Sequence, residues 1–479
     1  MPRTIHLQID MIFHRLATMT NWKPDPTTLN RPAYLSLAEQ FVRAIESGAL
    51  GVGSRLMPHR KLADSLGLSV QTVSRAYEEL TRRGLINGEI GRGSFVLGPA
   101  SDARQPYLAE RPGEVIDLSI LKPAVGALHH DRLRQGFAWL AENLSASSAL
   151  SFRPNMVMPH HCMVAAAWLT QHGIATEPSC VTITNGATPA INAALMSVAP
   201  PGSSIAVEAL THHILAPLCN YLGLHLEGVR MDADGMLPTA LDEVARRGHL
   251  RAIYLQPNVI NPLATLMPLD RRKELVEIAR RYDLSIIEND ILNIMVPDRP
   301  PAFATLAPER TLYICGFTKI TIPGLRLAYL ASPPRLSTAV SNRHLVTNWM
   351  ATPPMVDLLS HWIEDGTVTD LSLWQRTAMQ DRHLLAQEVL GANMPACHPN
   401  SLHLWLNLPG GWTEETFVEQ ARSRGVAVAA GQAFRVSDKA KQPAIRIALG
   451  STLTEDLRRG LEILQTMLVA EPEIFLPSI

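Results

Sequence analysis

From Ile116 to the end of the chain, short apolar runs alternate with segments of helical periodicity. Runs of four to seven apolar residues bounded by turn residues favour β-strands, and apolar residues three and four apart favour amphipathic helices. Strands that alternate with helices pack as a sheet covered by helices, so we predict an α/β body. The predicted strands include Val181–Thr184, Leu284–Asp290 and Thr311–Cys315, and the predicted helices include Pro189–Val198 and Asp270–Arg280.

Length and composition limit what the rest of the chain can be. The 479 residues exceed what one hydrophobic core usually holds, so two or three domains are expected. Hydrophobic residues make up 46% of the chain and charged residues 18%, which is typical of a globular protein rather than a disordered one. The formal net charge of -1 gives no overall attraction to nucleic acid, so any DNA-binding surface must be local.

The cysteines and histidines exclude several kinds of site. Five cysteines without a Cys-x-x-Cys pair argue against a zinc cage or a disulfide framework and favour a reducing compartment. The His-His pairs lack the i, i+4 spacing of a helical metal pair, so we predict no metal site. Because no apolar run reaches the length of a membrane span and no signal peptide is evident, we expect a cytoplasmic location without membrane contact.

One lysine follows a buried strand. The run Thr311–Cys315 ends at Gly316, and Lys319 comes three residues later, with Arg326 seven residues further on. Desolvation disfavours the ammonium form of such a lysine and frees its amine to condense with a carbonyl. An arginine close behind could bind an anion carried by the same molecule. The alternative, for the lysine taken alone, is a surface lysine after an edge strand.

Two further features of the body could serve a ligand. The turn Asn185-Gly186-Ala187-Thr188 joins a strand to a helix, and small residues there let backbone N–H groups approach an anion. Asp290 lies at the end of a buried strand, where its carboxylate could pair with a protonated ring nitrogen. A helix cap or a turn aspartate is an equally good interpretation of Asp290.

A smaller pattern precedes the body. Tyr34, Phe41 and Ile45 belong to the apolar stripe of a first helix; a second helix runs to Leu66 and stops at Gly67. Ser69 caps a third helix, whose polar face presents Gln71, Thr72, Ser74 and Arg75 to base edges and phosphates. A hairpin with Arg92 at its tip follows, as in a winged helix-turn-helix. The alternative is a small α+β domain with a solvated polar helix face.

These patterns divide the chain into five segments. Gly98 to Val115 is rich in proline, glycine and charge and has no apolar period, so it is typical of a linker. The predicted segments are a partly disordered N-terminal extension (1–30), a winged helix-turn-helix (31–98), a linker (99–115), a large domain (116–334) and a C-terminal small domain (335–479).

The first domain resembles a known DNA-binding family. The stretches Arg55 to Ala63, Thr72 to Leu80 and Gly91 to Val96 closely resemble the GntR-type winged helix over about Pro32 to Leu97. The resemblance implies that Arg60 and Arg75 contact DNA backbone or base edges, with Arg92 in the wing. The residues expected at the DNA are therefore Arg60, Ser69, Gln71, Thr72, Ser74, Arg75 and Arg92.

The body resembles the fold-type I aminotransferases in six motifs that occur in the family's order and spacing. These are Thr184 to Ala187, Asn261-Pro262, Glu288 to Asp290, Phe317 to Lys319, Pro323 to Leu327 and Ile445 to Gly450. The resemblance implies that Lys319 forms the internal aldimine with pyridoxal 5′-phosphate (PLP), that Asp290 holds the pyridinium nitrogen and that Asn261 binds the ring 3′-oxygen. It further implies that His212 stacks on the ring and that Arg446 takes an incoming carboxylate. The residues implied around the phosphate are Gly186, Ala187, Thr188, Thr318 and Arg326.

A GntR-type head joined to an aminotransferase-like body is the arrangement of the MocR subfamily of transcription regulators, which this chain resembles from end to end. The resemblance implies a homodimeric regulator of a double-stranded DNA operator. A small amine or amino-acid-like effector would form an external aldimine with PLP and change operator binding. Ile291, where the family usually has tyrosine, favours a sensor over an enzyme. A catalytically active aminotransferase with a vestigial head and a regulator that senses PLP itself remain as alternatives.

Overall fold

A computed structural model describes residues 22–46, 49–51, 54–82, 85–89, 93–96, 115–154, 158–436 and 442–470. The chain divides into two compact units, Met1–Glu110 and Arg111–Ile479, which we call the head and the body. Arg92 and the predicted linker, apart from its last residue, lie outside the described residues, as do residues 1–21 of the predicted extension.

The described part of the head contains the helices Ala33–Glu46, His59–Leu66 and Val70–Arg82. The second helix ends as predicted at Gly67, which adopts a left-handed conformation with φ of 64°. The third helix begins after Ser69, whose Oγ accepts a hydrogen bond from the backbone N–H of Thr72 at 3.1 Å. Val73, Ala76 and Leu80 of this helix are fully buried, whereas Val70 in its first turn is 43% exposed.

The head's hairpin consists of β1 (Ile86–Glu89) and β2 (Gly93–Val96), paired in antiparallel register. It is held to the segment before the second helix by two backbone hydrogen bonds, Leu56 N–H to Ser94 O at 2.8 Å and Val96 N–H to Ser54 O at 3.0 Å. Three helices followed by an attached hairpin form the predicted winged helix-turn-helix.

Part of the segment expected in the N-terminal extension packs against the head. The ring of Trp22 lies edge-on to Phe41, with 5.0 Å between the centroids. The side chain of Gln40 holds Asp25 from both sides, because it accepts from the backbone N–H and donates to the backbone oxygen. Trp22 and Leu29 therefore pack against the same core as the first helix.

The body is built on a seven-stranded sheet. Its strands are β4 (Val181–Thr184), β5 (Ser204–Glu208), β6 (His225–Val229), β9 (Leu250–Leu255), β10 (Ser285–Asp290), β11 (Thr311–Gly316) and β12 (Ala328–Ala331). Their order in the sheet is β4-β12-β11-β10-β9-β5-β6. Strand β12 is antiparallel to both neighbours, and the pairs from β11 to β6 are parallel. Burial on both faces explains why inner strands such as β11 and β12 are nearly continuous apolar runs.

Helices cover both faces of this sheet. One face packs against Ala187–Val198, Leu215–Tyr221 and Pro334–Asn348, and the opposite face packs against helices such as Pro159–Gln171 and Leu269–Arg281. The helices of the body are Ala127–Asn143, Ala146–Leu150, Pro159–Gln171, Ala187–Val198, Leu215–Tyr221, Pro238–Ala245, Leu269–Arg281, Phe303–Leu306, Pro334–Asn348, Pro353–Glu364, Thr367–Leu390, Glu414–Ser423 and Thr454–Val469. This alternation confirms the predicted α/β class of the body.

Two smaller sheets complete the C-terminal part of the body. One has the order β13-β16-β15, and the other pairs β14 with β3 in parallel. The remaining strands are β3 (Ile116–Asp117), β7 (Met231–Asp232), β8 (Gly235–Met236), β13 (His403–Asn407), β14 (Val426–Ala427), β15 (Ala429–Ala430) and β16 (Ala444–Ala448). Because β3 pairs with β14, the first residues of the body run alongside its C-terminal strands. Among the described residues, no helix is both long and apolar enough to cross a bilayer.

Candidate functional site

Lys319 lies in the turn that follows β11. Phe317, two residues earlier, is fully buried against Tyr329, which anchors the turn to the sheet. The Lys319 ammonium donates a hydrogen bond to the backbone oxygen of Leu121. Burial lowers the pKa of Lys319 from 10.5 to about 8, and the neighbouring charge of Arg446 is the next largest cause. The amine is therefore partly neutral near pH 7, as a nucleophilic lysine requires.

Groups that could bind an anion form a small cradle at the start of the helix Ala187–Val198. Gly186 caps this helix with φ of 96°, a conformation that suits glycine. A Cβ placed on Gly186 would lie 3.2 Å from Nη2 of Arg326, so the guanidinium lies against the glycine backbone. Arg326 itself has φ of 51°, a costly conformation for a non-glycine residue. The first backbone N–H groups of the helix and the guanidinium thus offer donors to one anion.

The helix begins two residues earlier than the sequence predicted. Ala187 and Thr188, expected in the turn, belong to its first turn, where backbone N–H groups lack intrahelical partners. Pro189 is tolerated there because it removes no helical hydrogen bond. Thr188 and Thr318 are both half-buried.

Arg446 and Asn261 lie together although 185 residues separate them in the sequence. Arg446 is only 3% exposed; its Nη1 donates to Oδ1 of Asn261 at 3.3 Å and its Nη2 to the backbone oxygen of Ser119 at 2.8 Å. The guanidinium also lies 4.7 Å from the centre of the Phe434 ring. An arginine held in this way is oriented to receive a carboxylate.

His212 is an uncharged ring close to these cations. Burial lowers its pKa to about 3, and the charges of His213, Arg446 and Lys319 add to that effect. A neutral imidazole can lie flat against an aromatic ligand without adding a further cation. The structure therefore brings Lys319, His212 and Arg446 to one place, as expected.

The structure does not bring Asp290 to that place. Its carboxylate is fully buried and accepts from the Tyr313 hydroxyl at 2.7 Å and from the Asn293 backbone N–H at 2.8 Å. Nε of Arg299 lies 3.7 Å from the same carboxylate. Tyr313 belongs to the hydrophobic cluster on the face of the sheet covered by the helix Pro159–Gln171. The contacts of Asp290 thus correct the expectation that it faces the pyridinium nitrogen.

The preceding residue, which the sequence reasoning missed, points to the other face. Asn289 donates from Nδ2 to the Tyr254 hydroxyl at 2.8 Å. Tyr254 and Ile287 belong to the cluster shared by the helices Ala187–Val198 and Leu215–Tyr221. The first of these helices starts at the cradle and the second starts just after His212. Side chains of a strand alternate between the two faces of the sheet. The sequence could therefore have identified Asn289 if it also showed which face these two helices cover.

The residues fit PLP at two points and a second ligand at a third. Lys319 offers a partly neutral amine to an aldehyde, Gly186 and Arg326 offer donors to a phosphate, and Arg446 offers a guanidinium to the carboxylate of a second ligand. Oδ1 of Asn289 is buried and has no hydrogen-bond partner among the described residues. Among all the residues that the structure describes, no group of three or more His, Cys, Asp or Glu side chains could hold a metal ion.

The expected DNA-contacting residues of the head differ in their surroundings. Arg60, Gln71 and Arg75 are exposed, and the Arg75 guanidinium lies 4.1 Å from the centre of the Tyr34 ring. Ser69 and Thr72 are engaged in the helix cap, with their hydroxyls 2.8 Å apart. Ser74 is half-buried, and its Oγ lies 3.0 Å from Nδ1 of His59.

Two family models match the chain. The model for "Aminotransferase class I and II" matches residues 125–464, and the model for "Bacterial regulatory proteins, gntR family" matches residues 33–96. The two matches correspond to the body and the head. They confirm the predicted fold class of each part.

Similar proteins of known sequence share both parts. The HTH-type transcriptional regulator YdeF of Bacillus subtilis is 27% identical over 462 residues, which cover 94% of this chain and 97% of YdeF. The HTH-type pyridoxine biosynthesis transcriptional regulator PdxR of Corynebacterium glutamicum is 25% identical over 365 residues, 74% of this chain and 78% of PdxR.

Two solved structures of aminotransferases resemble the body. The kynurenine aminotransferase of Pyrococcus horikoshii aligns with a TM-score of 0.68 and 21% identity, covering 74% of this chain and 91% of the enzyme. The α-aminoadipate aminotransferase LysN of Thermus thermophilus aligns with a TM-score of 0.67 and 21% identity, covering 74% and 92%. At this identity the likeness establishes the fold of the body.

Proposed function

Because the chain belongs to the MocR-type regulators, in which a GntR-type domain is fused to a class I and II aminotransferase domain, we propose that it is a PLP-dependent transcription regulator. The observation that carries the proposal is the partly neutral amine of Lys319 beside Arg446, in the same chain as a winged helix-turn-helix. A small amine that also bears an acidic group is the proposed effector.

Each residue of the site has a role in this proposal. PLP supplies an aldehyde that condenses reversibly with primary amines. Lys319 holds that aldehyde in the resting state, and the cradle of Gly186 and Arg326 holds the phosphate. Asn261 binds the ring 3′-oxygen and His212 lies against the ring. Ala187, Thr188 and Thr318 complete the surroundings of the phosphate.

Arg446 selects the effector. Its guanidinium is buried and oriented by Asn261 and Ser119, so a carboxylate or sulfonate that reaches it forms charge-assisted hydrogen bonds. An amine without an acidic group would form no such hydrogen bonds with Arg446. The effector's amine would compete with the amine of Lys319 for the aldehyde that PLP would supply.

The head supplies the response. Arg60, Gln71 and Arg75 are exposed in the head and are the proposed contacts to the DNA operator, with Arg92 in the wing. An effector changes operator binding only if it binds the DNA-competent and DNA-incompetent states with different affinities. The coupling free energy is then the same whether operator or effector binds first.

An exposed apolar patch supports a homodimer. Phe152 is 75% exposed and stacks on Trp349 with 5.0 Å between the ring centroids. Val346, one helical turn before Trp349, is 85% exposed. Exposed aromatic and aliphatic side chains that lie together are typical of a protein interface. Two copies carry two heads, so the proposed operator has two half-sites.

The relative named for pyridoxine biosynthesis favours a second candidate, in which PLP itself is the signal. In that case loading the cofactor-free protein with PLP changes operator affinity, and no further amine is needed. In the first case PLP loading is only a precondition. Operator titrations at each stage of loading distinguish the two candidates.

The proposal is tested with Lys319→Ala. Operator affinity is measured by fluorescence anisotropy with DNA from the region upstream of the gene, with and without GABA, taurine or D-alanine. In the wild-type protein one of these amines is expected to change both the absorbance of bound PLP and operator affinity. Lys319→Ala should lose both responses and still bind DNA.

Lys273→Ala is the matched control, because Lys273 is an exposed lysine of the helix Leu269–Arg281, paired only loosely with Asp270. This variant should respond as the wild type does. An effector response that survives in Lys319→Ala would refute the proposed role of the lysine.

A further inference from the structure

The two last residues of β10 point to opposite faces of the sheet, and only one face carries the candidate site. Asp290 is held by Tyr313, Asn293 and Arg299 on the far face. Successive side chains of a strand alternate between faces, so Asn289 lies on the near face. Its hydrogen bond to Tyr254 agrees with that placement.

The near face is the one that the cofactor would occupy. The helix Ala187–Val198 starts at the anion cradle and packs on this face, as does the helix Leu215–Tyr221, which starts after His212. A ring whose phosphate lies in the cradle and whose face lies against His212 therefore approaches β10 from the side of Asn289. We infer that Asn289, and not Asp290, faces the pyridine nitrogen of PLP, so that this nitrogen stays unprotonated. The inference rests on the proposed binding of PLP.

The consequence follows from the charge of the facing group. A carboxylate beside a pyridine nitrogen favours its protonated form, whereas a neutral amide gives no such electrostatic stabilisation. Asn289 can serve the nitrogen by donating from Nδ2, because the Tyr254 hydroxyl can donate to Oδ1 after a flip of the amide. Oδ1 has no hydrogen-bond partner among the described residues, so it is available to accept from the Tyr254 hydroxyl after the flip.

An unprotonated nitrogen makes PLP a weak electron sink. Replacing Lys319 by the effector's amine needs no electron sink. One carbon–nitrogen double bond replaces another, and two protons pass from the incoming nitrogen to the departing Lys319 nitrogen. Breaking the Cα–H bond of the effector does need the sink, because the bonding electrons must enter the ring. Asn289 therefore permits exchange of amines and restricts transamination, which is the behaviour of a sensor.

The test observes the nitrogen itself. The full chain is loaded with PLP carrying ¹⁵N in the ring and is studied by solid-state NMR. The wild-type protein is expected to show the ¹⁵N shift of an unprotonated pyridine. Asn289→Asp should move it upfield toward that of a pyridinium, and Asp290→Asn, the matched control on the far face, should leave it unchanged.

A pyridinium shift in the wild-type protein would overturn the inference even if neither variant folds. A change in Asp290→Asn with none in Asn289→Asp would also overturn it. Failure of the wild-type protein to bind PLP would instead refute the proposed function. As a second readout, Asn289→Asp should exchange the α-hydrogen of D-alanine with D₂O faster than the wild type.

Discussion

At the scale of single residues, the chemistry depends on an amine that burial keeps partly neutral. Lys319 is half-buried near Arg446, Arg326 and Lys122, and each of these cations disfavours a further positive charge. An ordinary lysine is almost fully protonated at pH 7, whereas a pKa of about 8 leaves roughly a tenth of the amine neutral.

The rate of PLP capture should follow this titration. In the cofactor-free protein, the association rate should rise about tenfold per pH unit up to pH 8 and level off above it, because only the neutral amine attacks the aldehyde. Stopped-flow absorbance between pH 6 and 10 measures the profile. A rate that still rises steeply above pH 9 would show an ordinary lysine and contradict the burial of Lys319.

At the scale of elements, the turn from β4 to the helix Ala187–Val198 shapes the cradle. Thr184 fixes the turn, because its Oγ1 donates to the backbone oxygen of Gly186 at 2.9 Å. Gly186 supplies both the left-handed conformation and the space for the Arg326 guanidinium. A side chain at position 186 would therefore both strain the backbone and displace the Arg326 guanidinium from the cradle.

Gly186→Ala should weaken PLP binding about tenfold or more, because the new Cβ displaces the Arg326 guanidinium from the cradle. The backbone strain of about 1–2 kcal/mol should lower the stability of the fold. Gly173→Ala is the control: Gly173 also has positive φ, at 89°, but a Cβ there would meet nothing within 4 Å. Both variants should lose thermal stability, and only Gly186→Ala should lose PLP affinity in a fluorescence titration. Equal PLP affinities would contradict the cradle.

The third helix of the head carries a separate prediction. Arg75→Ala should weaken operator binding by about 1–3 kcal/mol and reduce its salt dependence, with PLP loading intact. Arg43→Ala, an exposed arginine of the first helix, should bind operator as the wild type does. Fluorescence anisotropy titrations at several salt concentrations measure both the operator affinity and its salt dependence. Unchanged binding by Arg75→Ala would remove the third helix from the DNA contact.

The sequence could predict those parts of the site that depend on local pattern. Lys319 and Arg326 follow a buried strand at short spacing, and Gly186 lies between a strand and a helix. Arg446 and Asn261 approach each other across 185 residues, so their contact depends on tertiary packing and could be expected only by resemblance. The side to which Asp290 points depends on which helices cover each face, which no period within the strand reveals.

At the scale of the whole molecule, the proposed homodimer would link the body to DNA recognition. The patch around Phe152 and Trp349 lies in the body, and a dimer made there would carry two heads. Phe152→Asp should shift sedimentation toward the monomer and weaken operator binding, because two linked heads bind two half-sites more tightly than one head. Leu453→Asp, at another exposed apolar residue of the body, is the control and should leave the assembly unchanged.

A dimer that survives in Phe152→Asp would place the interface elsewhere on the body. A monomeric wild-type protein that binds its operator with full affinity would contradict the proposed homodimer altogether. Sedimentation velocity over a range of protein concentrations distinguishes these results.

The central claim is that Lys319 carries PLP and yields it to an incoming amine. The most direct measurement is to reduce the PLP-loaded protein with borohydride and to locate the phosphopyridoxyl group by peptide mass spectrometry. The expected result is modification at Lys319 alone, which disappears when the effector amine is added before reduction. Modification of a different lysine, or of none, would contradict the account.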